Sequence, residues 1–159
     1  TAFGFDRLVM QEDFAGAERV GPYIGDVPVA ERPWMAEMLA DPDPHSAIAT
    51  FARESTALVE RLGPVMALVL TGARAGDEDL RALAETSSAE RSAGVRAFVA
   101  AVSTRAGLRP DVTLDEAVDA VWLLTAPEVW QMLVDERGWT LDTYRRWLTR
   151  SITDVIHPT

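Results

Sequence analysis

The chain has 159 residues, 48% of them apolar, and carries 25 acidic against 15 basic residues, all of the latter Arg; this suits one compact domain with a real core. A formal net charge of −10 repels phosphate, and nucleic-acid affinity rests on neutralising phosphates, so these residues alone are not expected to grip DNA or RNA. Absence of cysteine excludes disulfides, thiolate metal sites and thiol nucleophiles; with no signal-peptide pattern at the start and no apolar run of transmembrane length, a reducing, cytoplasmic setting is expected.

Residues 1–17 read as a short helix, with Phe5, Leu8 and Val9 near helical spacing. Residues 21–30, GPYIGDVPVA, read as a loop. Pro33 suits the first turn of a short helix bearing Trp34, Met35, Met38 and Leu39. The DPDP run at 41–44 ends that helix and starts the next, with Asp43 as N-cap and Pro44 at the first helical position. Ile48, Phe51, Ser55, Leu58 and Leu62 then recur at spacings of three and four. Gly63-Pro64 is expected to interrupt the helix and restart it. The apolar run PVMALVL fits a buried strand by pattern alone, but its Pro start and helical neighbours favour a buried helix ending near Gly72.

Asp77, Glu78 and Asp79 open a long helix, where the dipole favours acids. Leu80, Leu83, Ser87, Arg91, Val95, Phe98 and Val102 keep one face to about Gly107, a span of roughly 45 Å at about 1.5 Å per residue. Its middle, at Ser87, Arg91 and Gly94, is polar or small for a core stripe. Thr113 and Glu116 match a capping box. The helix they open runs into residues 120–134, AVWLLTAPEVWQMLV, which hold one charge, Glu128, and one amide, Gln131. Apolar side chains all round a helix imply burial on more than one side. The stretch is too short to span a bilayer, so a second copy of the chain is expected to cover it. Pro127 predicts a kink or break, and Gly138 a C-cap. Thr140 caps a last helix with Leu141, Tyr144, Leu148, Ile152 and Val155 on one face and Arg145, Arg146 and Arg150 outward. The expectation is an all-α bundle of about seven helices.

Chemical motifs are absent. His45 and His157 fall in no H-E-x-x-H or E-x-x-H motif, and Ser55, Ser87, Ser88 and Ser92 lie outside any G-x-S-x-G setting. No glycine-rich loop follows a strand. No catalytic residue, metal or cofactor is therefore expected, nor enzyme activity. Trp34, Trp122, Trp130, Met66 and Phe98 come from faces predicted to be buried, where they either fill the core or line an apolar pocket. Ser55, Arg91 and Glu128 fall near the same faces, and a buried polar group needs a partner. A ligand or water is one such partner; an internal Arg91–Glu128 ion pair is the other.

Residues 113–148 resemble the C-terminal region of TetR-like transcriptional regulators, of the kind common in high-GC actinobacteria. The resemblance is carried by Trp122 through Trp130 with Thr125-Ala126-Pro127-Glu128, by Glu136-Arg137-Gly138-Trp139, and by Tyr144 and Trp147-Leu148. Glu31-Arg32-Pro33-Trp34 and the helix from Asp43 to Leu62 match more weakly. The family implies an all-helical sensor domain that binds a small apolar or aromatic molecule and forms a homodimer through its last two long helices. It implies a repressor whose DNA contact belongs to an N-terminal helix-turn-helix head. Here residues 1–20 are expected to be a remnant of the connecting helix and 31–159 the ligand-binding and dimerisation domain, with DNA reached only through a head outside this chain. Burial pattern and resemblance together nominate Phe51, Ser55, Met66, Leu70, Arg91, Phe98, Trp122 and Trp130 for the ligand site. Leu124, Leu141, Tyr144, Leu148 and Ile152 are nominated for the dimer interface, against the alternative that their stripe packs inside one subunit. The competing functional reading is a stand-alone helical protein–protein interaction module without a ligand site.

Overall fold

The computed structural model describes residues 32–156, which form six α-helices and no strand. These are α1 (Pro33–Ala40), α2 (Pro44–Arg74), α3 (Glu78–Ala106), α4 (Leu114–Leu124), α5 (Pro127–Trp130) and α6 (Leu141–Ile156). A π-helical segment, Gln131–Glu136, continues α5. The expected helix at 1–17, the connecting-helix remnant at 1–20, the loop at 21–30 and His157 lie outside the described residues.

Local chemistry starts the helices where the sequence places the signals. The Asp43 carboxylate accepts the His45 N–H at 3.0 Å, and Pro44 takes the first turn of α2. Asp77 accepts the Leu80 N–H at 3.0 Å at the start of α3, with Glu78 and Asp79 in its first turn. At α4 the capping box closes in both directions: the Glu116 N–H donates to the Thr113 hydroxyl at 3.3 Å, and the Thr113 N–H donates to Glu116 Oε2 at 2.8 Å. The bonds from the Thr113 backbone and hydroxyl hold the Glu116 carboxyl below its ordinary pKa.

One element differs from expectation. Gly63-Pro64 does not interrupt the chain: α2 runs for 31 residues through it. Proline removes the N–H that the Glu60 carbonyl would accept, but Glu60 and Pro64 are both exposed, so water can serve that carbonyl. The residue before a proline avoids helical geometry through clashes of the ring with its backbone N–H and its Cβ, and glycine lacks the second of these. The expected helices at 43–62 and 64–72 are therefore one. Joined, they make α2 long and apolar enough to cross a bilayer by length and composition alone, correcting the expectation that no segment reaches that length.

At Pro127 the expected break occurs. The residue before it, Ala126, turns extended at φ −67° and ψ 139°. Its N–H donates to the Leu123 carbonyl at 3.0 Å, the group that Pro127 leaves without its usual donor. The π turns that follow end where Gly138, at φ 70°, enters the left-handed region and the Trp139 N–H donates to the Leu133 carbonyl at 3.0 Å.

The core lies between α2, α3, α4 and α6, with α1 packed across α2 and α3. Phe51 stacks on Phe98 with ring centroids 3.9 Å apart and planes 2° from parallel. Trp130 meets Tyr144 edge to face at 4.9 Å. The stripe expected at a dimer interface belongs to this core: Tyr144, Leu148 and Ile152 are 1%, 1% and 0% exposed. They pack inside the chain because α6 has a single apolar stripe and α2 and α4 already cover it. Leu124 and Leu141 are partly buried against the same core. Within residues 120–134, Val121, Ala126 and Trp130 are buried; Leu123 and Met132 remain 59% and 49% exposed. The apolar surplus of that stretch is thus two side chains wide.

Candidate functional site

A cavity of about 270 Å³ opens between α2, α3 and the α4–α5 break, close to the lower end of the roughly 300–1,000 Å³ usual for ligand sites. Its apolar wall is one face of α2, where Leu58, Leu62, Met66 and Leu70 recur at helical spacing. The facing wall is the polar and small middle of α3, Ser87, Arg91 and Gly94. Those residues look odd in a core stripe because each borders the cavity. Beyond the cavity the two helices draw together at their turn, where a Cβ on Gly72 would collide with Leu80.

Arg91 closes the cavity against α4. Because Ala126 turns its N–H to Leu123, the Trp122 carbonyl loses its i+4 partner. Arg91 Nη1 donates to that carbonyl at 2.5 Å and to the Thr125 hydroxyl at 3.4 Å. Its guanidinium carbon lies 4.2 Å from the centre of the Trp122 ring, a cation–π contact. Desolvation draws the Arg91 pKa below its ordinary value, and the Glu128 carboxylate pulls it the other way. The group stays charged, since arginine does not lose its proton in proteins. Of the two alternatives for Arg91, the internal ion pair with Glu128 does not form. Glu128 sits at the rim, 3.8 Å from Arg74 Nη2, with both side chains largely in solvent. The Trp122 indole Nε1 is buried with no hydrogen-bond partner.

Six of the eight nominated residues border this cavity: Phe51, Ser55, Met66, Leu70, Arg91 and Trp122. Phe98 and Trp130 do not. Phe98 is fully buried beneath Phe51, and Trp130 is buried between Tyr144 and the Gly63 turn of α2. Each stands behind the wall. Leu58, Leu62 and Thr125 line the cavity without having been nominated. The α2 stripe carried the signal for the first two; Thr125 becomes visible only with the break at Pro127.

Among the described residues no group of three His, Cys, Asp or Glu gathers as a metal site. A second, shallower depression lies between α2 and α6 and is bordered by Arg53, Arg145, Arg146 and Arg150. Glu54 pairs with Arg53 at 3.0 Å and Asp142 with Arg145 at 3.8 Å, so part of this positive charge is compensated locally. No protein-family model matches the chain, and comparison with curated proteins and with solved structures finds no significant match.

Proposed function

We propose that the chain is the ligand-sensing and homodimerisation domain of a TetR-like transcriptional regulator, a cytoplasmic repressor released from DNA by a small apolar molecule. The observation that carries this reading is the cavity itself, an apolar α2 wall facing polar and small residues of α3, closed by Arg91 on a helix end broken at Pro127. A packed bundle with no ligand to admit gains nothing from a polar stripe in its longest internal face.

Mechanism follows from where the cavity lies. A molecule that enters between α2 and α3 has contacts on both, and binds better to whichever spacing of the two helices fits it. That differential affinity shifts the population of spacings. The response would be passed to a head outside this chain through residues preceding α1, and DNA contact would belong to that head. Homodimerisation in this reading uses the exposed apolar residues near the α4–α5 break, Leu123 and Met132, because Tyr144, Leu148 and Ile152 are internal.

A thermal-shift screen of small apolar and aromatic compounds tests the reading. A ligand at about 100 times its dissociation constant should add roughly 2.7 kcal/mol of stability. Met66→Trp, which fills the cavity from the α2 side, should abolish the shift while the protein stays folded. A shift that survives this substitution would move the site elsewhere.

A further inference from the structure

Arg91 is a half-buried charge whose hydrogen-bond and ring partners are all neutral, with Glu128 acting on it only through space. Nη1 is satisfied by a carbonyl and a hydroxyl, and the Trp122 ring covers one face of the guanidinium. Neither Nε nor Nη2 has a hydrogen-bond partner among the described residues, and no carboxylate forms an ion pair with Arg91. Two acids border the same cavity. Glu128 is engaged with Arg74 at the rim, and Glu90 makes no ion pair with its sequence neighbour Arg91. A guanidinium fork with free donors in a partly desolvated site matches a planar oxyanion, which it can hold through two parallel hydrogen bonds.

We infer that the cavity takes an amphipathic organic anion, its carboxylate on the Arg91 guanidinium and its hydrocarbon body along Leu58, Leu62 and Met66. This rests on the reading of the cavity as a ligand site and adds the chemical class. The anion supplies a carboxylate in direct hydrogen-bonded contact, which Glu128 does not, and the α2 wall removes the tail from water. A neutral molecule of the same shape gains only the second. A cation would meet Glu90 and Glu128 but would also face Arg91.

The test uses the whole chain and three probes of equal length, octanoate, octanamide and octylammonium, titrated calorimetrically near neutral pH. Octanoate should bind roughly tenfold to a hundredfold tighter than octanamide, the range expected for a charge-assisted hydrogen bond in such a site. Arg91→Gln should erase that preference, bringing octanoate and octanamide to equal affinity. Should the variant fail to fold, the comparison of the three probes on the unaltered chain still decides. Equal affinity for octanoate and octanamide, or tighter binding of octylammonium, would overturn the anion assignment and leave the cavity as a ligand site. Binding of none of the three would overturn both.

Discussion

Tyr144 shows how far one side chain can be tied to the bundle. Its ring packs against Trp130 at 4.9 Å and lies 5.6 Å from Trp147, and burial pushes its phenol up to about 12. An unfolded tyrosine titrates near 10. The folded state therefore holds its proton more tightly, and this contribution to stability is complete below pH ~10 and is lost as pH rises from there through about 12. Resistance to urea should accordingly fall as pH rises across that window, and Tyr144→Phe should flatten the dependence while leaving the neutral-pH midpoint within a modest margin. A variant as alkali-sensitive as the parent would show that another group dominates. The residue scale also explains which parts of the site could be read from letters. Ser55 and Arg91 stood out because polar groups on buried faces need partners. Phe98 and Trp130 could not be separated from Phe51 and Trp122, since an aromatic on a buried face looks the same whether it lines a cavity or stands one layer behind it.

At the scale of the element, two prolines with opposite outcomes give the clearest lesson. Both remove a helical hydrogen bond, and both stand in apolar stretches of sequence. Pro64 leaves α2 continuous and Pro127 ends α4, and the residue in front of each makes the difference: Gly63 has no Cβ to clash with the proline ring, whereas Ala126 swings extended. Caps were legible because their chemistry is local, as at Asp43, Asp77 and Thr113. The fate of Pro64 was not, because it depends on whether the freed carbonyl of Glu60 reaches solvent. A double-mutant cycle checks this account. Pro64→Ala should stabilise the protein by about 1–3 kcal/mol in urea unfolding, restoring one hydrogen bond and a better helix former. Gly63→Ala alone should forfeit the gain of about 1 kcal/mol usual for such a change in a helix, because it returns the clash. Added to Pro64→Ala it should recover that gain, since a Cβ there meets Trp130 only at an ordinary 3.9 Å. Simple additivity of the two changes would refute the steric explanation.

For the molecule as a whole, the all-α architecture followed from helical periodicity, and the surface offered to a second copy did not. A stripe on a helix says that something covers it, not whether the cover is the same chain. In α6 the cover is internal, so Leu148→Ala should act as a core truncation, costing about 2–5 kcal/mol without altering the mass of the folded species. The proposed homodimer would then use another face, and Leu123 and Met132 beside the α4–α5 break are the large apolar side chains that the 120–134 stretch leaves in solvent. The double variant Leu123→Glu with Met132→Glu should place like charges opposite one another in any symmetric interface through that face. Sedimentation velocity should therefore show the unaltered chain as a dimer and the double variant as a folded monomer with unchanged helical circular dichroism. If the unaltered chain sediments as a monomer at high concentration, pairing through this domain fails. If both sediment as dimers, the interface lies on another face, with the exposed α2 residues Val65 and Leu68 next to be altered.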